Sequence, residues 1–266
     1  MKKTTALMAL GFIVSLFGAA AVWAITFGQP DNGRHPFVGS LVADFGGETF
    51  QWCSGTLVSP TIVLTAGHCL FGTEEEGIPI SVTFDEIIDA DADGSIDAGV
   101  TLHTGTAFVH PLFPGGSNDT HDVAVFVLDE PVIMPVYGEL PTLGLLDSID
   151  KQSTLFTAVG YGTVRNDKSR GPHSFELGTR RLFAVQEALS LNKAWLTLSM
   201  NPSTGNGGTC YGDSGGPHFL GAGPSETTTI VSVTVTGDRF CRATDKTYRI
   251  DTASALSFLS EFVTVP

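Results

Sequence analysis

The chain has 266 residues, with 14 Lys or Arg against 28 Asp or Glu, a formal net charge of −14. Such acidity argues against nucleic acid as a partner and for a soluble protein. The length accommodates one all-β domain or two packed barrels, and 31 glycines suit a chain of many turns.

The first feature in chain order is a targeting segment. Lys2 and Lys3 precede an apolar run from Leu7 to Val22, and Val22-Trp23-Ala24 closes it with small residues flanking the bulky Trp23. This is the pattern of a secretory signal peptide over residues 1–24, with a retained membrane anchor as the competing reading. It leads to the expectation of a secreted protein, extracellular or periplasmic, whose mature domain is 25–266. No later apolar run is long enough to cross a bilayer, so no membrane association is expected after cleavage.

Short β-rich runs between turn signals follow. They fall at 37–42, 55–58, 62–65, 81–84, 107–110 and 123–128, and then at 154–160, 180–185, 194–199, 217–220, 230–236 and 247–250. A stretch with Pro and Gly, Glu130–Ser153, separates the two groups. No βαβ alternation appears, so the pattern predicts an all-β barrel or sandwich. Ala255, Leu256, Leu259, Phe262 and Val263 recur at helical spacing and predict a terminal helix over 252–263.

Between the early strands, Asp89-Ala-Asp91-Ala-Asp93-Gly94-Ser95-Ile96-Asp97 alternates carboxylates ahead of a glycine. Such oxygens can wrap a calcium ion. Val100 stands where a bidentate glutamate belongs, so a solvated acidic turn is the competing reading. No organic cofactor is called for. The absence of a His-x-x-x-His pattern argues against a zinc enzyme. Four cysteines fit an oxidising compartment, and residue count leaves all three pairings open.

Three segments carry chemistry: Thr65-Ala66-Gly67-His68-Cys69, His121-Asp122-Val123-Ala124-Val125 and Gly212-Asp213-Ser214-Gly215-Gly216-Pro217. A serine hydroxyl is a poor nucleophile until a base takes its proton and fixed donors hold the oxyanion. Glycines beside Ser214 leave backbone N–H groups open to a substrate carbonyl. An unperturbed imidazole is neutral near physiological pH and can accept that proton. The bland readings are a glycine-rich turn for Ser214 and a strand-start acid for Asp122. His35, His103, His110, His121, His173 and His218 read as structural or exposed.

In the order His, Asp, Ser, these segments resemble the motifs of the chymotrypsin- and trypsin-like serine protease family, of a bacterial secreted type. The resemblance runs from about Ile25 to the C-terminal helix. It implies an all-β fold of two six-stranded antiparallel β-barrels, about 25–135 and about 150–250, with a C-terminal α-helix and the site in the cleft between barrels. It implies a monomeric endopeptidase acting on protein or peptide through an acyl-enzyme. His68 would be the base, Asp122 its orienting carboxylate, Ser214 the nucleophile, and the N–H groups of Gly212 and Ser214 the oxyanion hole. It pairs Cys53 with Cys69 and Cys210 with Cys241. It further implies that Asp213 binds a new α-amine at Ile25, although Ile25-Thr26-Phe27-Gly28 departs from the family's Ile-Val-Gly-Gly-like start.

For the pocket that takes the acyl-side residue, the resemblance nominates Gly208 as floor, Thr209 beside it, Gly237 at the entrance and Asp245 on the opposite wall. Glycine at 208 removes the usual carboxylate, which leans the expectation toward a neutral or apolar residue; an inward-pointing Asp245 would reverse it. Val235 and Thr236 stand where relatives often carry Ser and Trp. The alternatives are a catalytically silent homologue that binds, or an esterase or single-target processing enzyme using the same site.

Overall fold

The computed structural model describes residues 25–116, 120–166 and 174–266. The targeting segment 1–24, Asp119 and His173 lie outside the described residues. In chain order the elements are β1 (Gln29–Pro30), β2 (Val38–Asp44), β3 (Thr49–Ser59), β4 (Ile62–Thr65), α1 (Gly67–Leu70), β5 (Ile80–Thr83), β6 (His103–Val109), β7 (Ala124–Leu128), α2 (Leu145–Ser148), β8 (Leu155–Gly160), β9 (Val164–Asn166), β10 (Ser174–Glu176), β11 (Leu182–Leu191), β12 (Trp195–Ser199), β13 (Pro217–Leu220), β14 (Ile230–Gly237), β15 (Thr244–Arg249) and α3 (Ala253–Leu259). Two antiparallel barrels result, as the all-β pattern predicts.

The first barrel closes in the order β2-β3-β4-β7-β6-β5, with β5 returning to β2. Its strand β4 is buried throughout, with Ile62, Val63 and Leu64 an apolar run ahead of Thr65. The wall strand β6 alternates half-buried and exposed residues, the period of a sheet with one wet face. The second sheet runs β1-β11-β12-β15-β14-β13-β8 and closes because β11 also pairs with β8. Its ten residues suffice for both neighbours. Leu182–Glu187 pair with β8, and from Ala188 onward, across a register shift at Ala188/Ser190, the strand pairs with β12.

One apolar cluster runs through both barrels, joining Leu41, Leu57, Leu64 and Phe126 to Phe219, Val233 and Ile250. Truncating any one of these to alanine costs about 2–5 kcal/mol, because the close-packed wall collapses only partly. The terminal helix ends at Leu259, shorter than the periodicity predicts. Glu261 and Phe262 bond back three residues to Phe258 and Leu259, which tightens the last turn. The β9–β10 hairpin was not among the expected strands. Among the described residues no helix is long and apolar enough to cross a membrane.

A buried ionic group ties the start of the chain to the second barrel. Asp31 accepts from His35 through Nδ1 and from Arg181 Nε at 2.9 Å. His35 Nε2 meets Glu226 at 2.6 Å, and Arg34 reaches the same carboxylate at 2.9 Å. Burial opposes the charged forms, but the pairing wins. His35 is raised above the ordinary imidazole range by its two carboxylates, and Asp31 is lowered to about 2. The raised imidazole contributes stability that is present below its unfolded pKa and fades as pH rises through the higher folded one. The depressed Asp31 contributes above its unfolded value and is lost as pH falls toward 2. His35→Ala is therefore expected to destabilise by about 2–4 kcal/mol, with a larger loss of melting temperature at pH 6 than at pH 9.

Candidate active site

His68 sits in the single turn of α1, directly after β4. The turn is held from two sides. A disulfide joins Cys69 to Cys53 of β3, with Cα atoms 6.1 Å apart, and Trp52 Nε1 donates to the Cys69 carbonyl at 2.8 Å. Asp122 stands at the start of the buried β7 run and is fully enclosed. His121 before it takes φ 72°, which turns the chain into the strand. One carboxylate oxygen of Asp122 accepts the His68 backbone N–H at 2.9 Å, and the other meets His68 Nδ1 at 2.8 Å. With Nδ1 as the donor, the lone pair is left on Nε2, and the imidazole keeps 22 % of its surface exposed. A side chain at 67 would bring its Cβ to 3.2 Å from Asp122 and 3.1 Å from the Phe113 ring, so glycine lets the turn approach.

Ser214 lies half-buried in the loop between β12 and β13. Its carbonyl accepts from Ser54 N–H of β3 at 2.8 Å and lies 3.6 Å from Cys69 Sγ, beside the histidine turn. The following Gly215 N–H donates to Thr234 O of β14 at 2.8 Å. The loop is thus bonded to both barrels. Gly212 has φ 93°, and a Cβ there would lie 2.2 Å from Gln51 Oε1, so only glycine fits. The Gly212 carbonyl accepts from Gln51 Nε2 at 2.8 Å and Ser54 Oγ at 3.1 Å. Among the described residues the N–H groups of Gly212 and Ser214 have no protein acceptor. Two open donors beside a serine can stabilise a developing oxyanion.

Behind the loop, Asp213 is wholly buried. It accepts from Gly162 N–H at 2.7 Å and Cys210 N–H at 2.8 Å. Burial pushes its pKa up to about 7 despite those two donors, and the charge of Asp245 adds to the rise. Gly160 and Gly162 approach so closely that a Cβ on either would strike the carboxyl group. Ile25 is also buried, among Val164, Leu182 and Ala184, and Gly208 N–H donates to Thr26 O at 2.9 Å. The φ of Ile25 is 58°, a left-handed conformation costly for a β-branched residue. The second disulfide, Cys210–Cys241, spans 5.2 Å between Cα atoms and staples the serine loop to the segment after β14.

A pocket of about 360 Å3 opens beside Ser214, lined among others by Thr209, Thr234, Val235, Thr236 and Gly237. Gly208 and Asp245 do not line it. Gly208 is buried beneath, facing Met200 and the Gln186 amide. Asp245 is also enclosed, bonded to His218 and Gln186. The reason is register: Asp245 pairs with Gly237, one strand back from the cleft wall. Gln51, Ser54, Gln186, Met200 and His218 were not singled out by sequence. The clue available for Gly160 and Gly162 was their spacing around Tyr161.

The acidic turn gathers three of its four aspartates. Carboxylate oxygens of Asp89, Asp91 and Asp97 lie within 4.8 Å of one another, whereas Asp93 caps the Ser95 N–H instead. Both oxygens of the buried Asp89 accept backbone N–H groups, from Asp93 and Gly94. Cys53, His68 and Cys69 also cluster, but a disulfide offers no thiolate to a metal.

A family model described as Trypsin matches residues 25–257. Serine protease 7 of Drosophila melanogaster is 28% identical over 188 residues, covering 62% of this chain and 46% of that protein. The trypsin of Saccharopolyspora erythraea is 27% identical over 192 residues, 69% of this chain and 75% of its own length. Human kallikrein-2 is 26% identical over 178 residues, 62% of this chain and 64% of its own. The chain thus spans about half the length of serine protease 7.

Proposed function

The chain belongs to the trypsin family, and from that premise we propose that it is a secreted serine endopeptidase working through His68, Asp122 and Ser214. The observation that carries this reading is the two-point bond between Asp122 and His68 next to a serine loop with two open N–H donors. Ser214 Oγ attacks the scissile carbonyl while its proton passes to His68 Nε2. The negative charge develops on the former carbonyl oxygen, to which the N–H groups of Gly212 and Ser214 would donate; each such donor contributes about 2.7–4 kcal/mol in the transition state. His68 then gives the proton to the departing amine, leaving an acyl-enzyme. Water, deprotonated by the same imidazole, releases the acid. Asp122 keeps the Nδ1–H tautomer and balances the imidazolium. The test is a fluorophosphonate label with mass mapping: modification confined to Ser214 supports the reading, and an unlabelled or elsewhere-labelled protein refutes it.

We propose further that cleavage before Ile25 activates the protein. Its α-ammonium would pair with Asp213, a buried carboxylate with no cation beside it among the described residues. Cutting the 24–25 bond also abolishes the φ torsion at Ile25, so its strain vanishes with the peptide bond. The basic and apolar residues of 1–24 support secretion as the route to that cut.

The acidic turn offers hard oxygen ligands, and we propose calcium as a structural ion held by Asp89, Asp91 and Asp97. Saturating calcium is expected to raise the melting temperature by mass action, an effect that a chelator reverses and that Asp91→Asn with Asp97→Asn abolishes. Identical melting curves in calcium and chelator favour the solvated turn.

A further inference from the structure

The two donors beside Ser214 belong to two peptide units, and a planar trans peptide points its N–H opposite to its C=O. The direction of each donor is therefore set by what holds the carbonyl of the same unit. Tyr211 O, which shares a unit with the Gly212 N–H, accepts from Thr163 N–H at 2.7 Å. Asp213 O, which shares a unit with the Ser214 N–H, accepts from Gly216 N–H at 2.8 Å. Both anchors are backbone groups from the second-barrel part of the chain.

The unit between them joins Gly212 to Asp213 and sets how the two donors lie relative to each other. Its N–H donates to Cys210 O at 3.0 Å. Among the described residues its carbonyl is held by side chains alone, and both come from β3 of the other barrel: Gln51 Nε2 at 2.8 Å and Ser54 Oγ at 3.1 Å. A glycine has the widest choice of backbone angles, so this unit turns most easily unless it is pinned.

Each of the two side chains is itself fixed. Gln51 Nε2 also donates to the Cys53 carbonyl at 3.1 Å. Two carbonyl acceptors around one atom identify it as the amide nitrogen. Gln51 Oε1 then packs against Gly212, where a Cβ would come within 2.2 Å of it. The Ser54 hydroxyl accepts from Tyr161 N–H at 3.1 Å, which directs its own proton to Gly212 O. The next N–H along, that of Gly162, donates to Asp213 Oδ1 at 2.7 Å. Successive N–H groups thus steady successive residues of the serine loop, the first of them through Ser54. Ser54 also receives Thr65 Oγ1 at its carbonyl at 2.8 Å, so every polar group it carries is engaged.

We propose that Gln51 and Ser54 are positioning residues: by clamping the Gly212 carbonyl they keep the Gly212 and Ser214 N–H groups convergent on one oxygen. The proposal rests on the peptidase reading above and adds to it the two side chains that ready the donors before substrate arrives. They act through Gly212 and not on the substrate.

Oxyanion donors act in the transition state and not in ground-state binding. The test therefore takes the best-cleaved peptide amide of a diverse library, the trifluoromethyl ketone of the same peptide, and its alcohol. Ser214 Oγ adds to the ketone carbonyl, its proton passes to His68, and the carbonyl oxygen takes the negative charge; the alcohol forms no such adduct. Gln51→Glu is isosteric and sets an acceptor against Gly212 O, Gln51→Met keeps the bulk without the donor, and Ser54→Ala removes the hydroxyl. Each is expected to lower kcat by about 10- to 100-fold, short of the roughly 100- to 1,000-fold of a donor removed outright, with KM changed by less than about twofold. Ketone affinity should fall by the same factor as kcat/KM, while alcohol affinity holds. If Ser54→Ala, which strands Tyr161 N–H, fails to fold, the half-buried Gln51 position decides through its two variants. Unchanged kcat, or ketone and alcohol affinities that fall together, overturns the proposal and leaves the two bonds a structural tie. Failure of the peptidase reading looks different: the unsubstituted protein neither labels at Ser214 nor cleaves any peptide of the library. The clamp is then read without chemistry, from the amide resonances of Gly212 and Ser214 in Gln51→Glu. Shifted resonances support donors oriented by Gln51, and unmoved ones overturn it.

Discussion

Ser214→Ala is expected to lower kcat/KM on any cleaved peptide by at least about 10^4-fold, leaving only what binding and the oxyanion donors supply. Fold and melting temperature should change little, because Ser214 is held through its carbonyl and not its hydroxyl. His68→Ala should be nearly as severe, and the double variant no worse than either single one, since the residues act as a unit. Burst kinetics and fluorophosphonate labelling check all three. Full turnover by Ser214→Ala would move the chemistry elsewhere.

The second large effect has opposite signs in two forms of the protein. In the chain that still carries residue 24, Asp213 is raised from 3.8 to about 7 by burial. The folded state therefore holds a proton that the unfolded state has released, and stability falls as pH rises through that window. Asp213→Asn removes this penalty, so the uncleaved form should melt higher at pH 8 than its parent, with little difference near pH 4. On the proposed activation, the carboxylate in the form starting at Ile25 would have an ammonium partner, and the same substitution should reduce turnover by about 100- to 1,000-fold, the cost of breaking a buried pair. One extra residue before Ile25 should do likewise. Melting curves of both forms at the two pH values, with N-terminal sequencing of the active protein, check the claim. Full activity in a chain beginning well before or after Ile25 refutes it.

What was legible in the sequence is what chemistry keeps close along the chain. Ser214 and its glycines sit in one hexapeptide, and two positive-φ glycines there allow only that residue type. The barrel strands were legible from alternation and turn punctuation, and the histidine turn from its neighbours Thr65 and Cys69. Gln51 and Ser54, which hold the Gly212 carbonyl, lie about 160 positions away from it, and nothing local announces them. Thr209 and Gly237 line the pocket as nominated, but Gly208 and Asp245 do not, for a related reason. The side chain that faces a cleft depends on register, and β14 slips between Thr234 and Thr236 where it passes the site. A one-residue slip exchanges the two faces of a strand, which composition alone does not reveal. The β9–β10 hairpin escaped because its three-residue strands are too short for any period to register.

The serine loop takes one bond from Ser54 in the first barrel and gives another to Thr234 in the second. Function is therefore a property of the seam and of neither half. A polypeptide divided in the stretch joining β7 to β8 would yield two inert fragments, each holding part of the machinery. Activity would return only on mixing, in proportion to their encounter, so the molecule would report the meeting of its own halves as a rate.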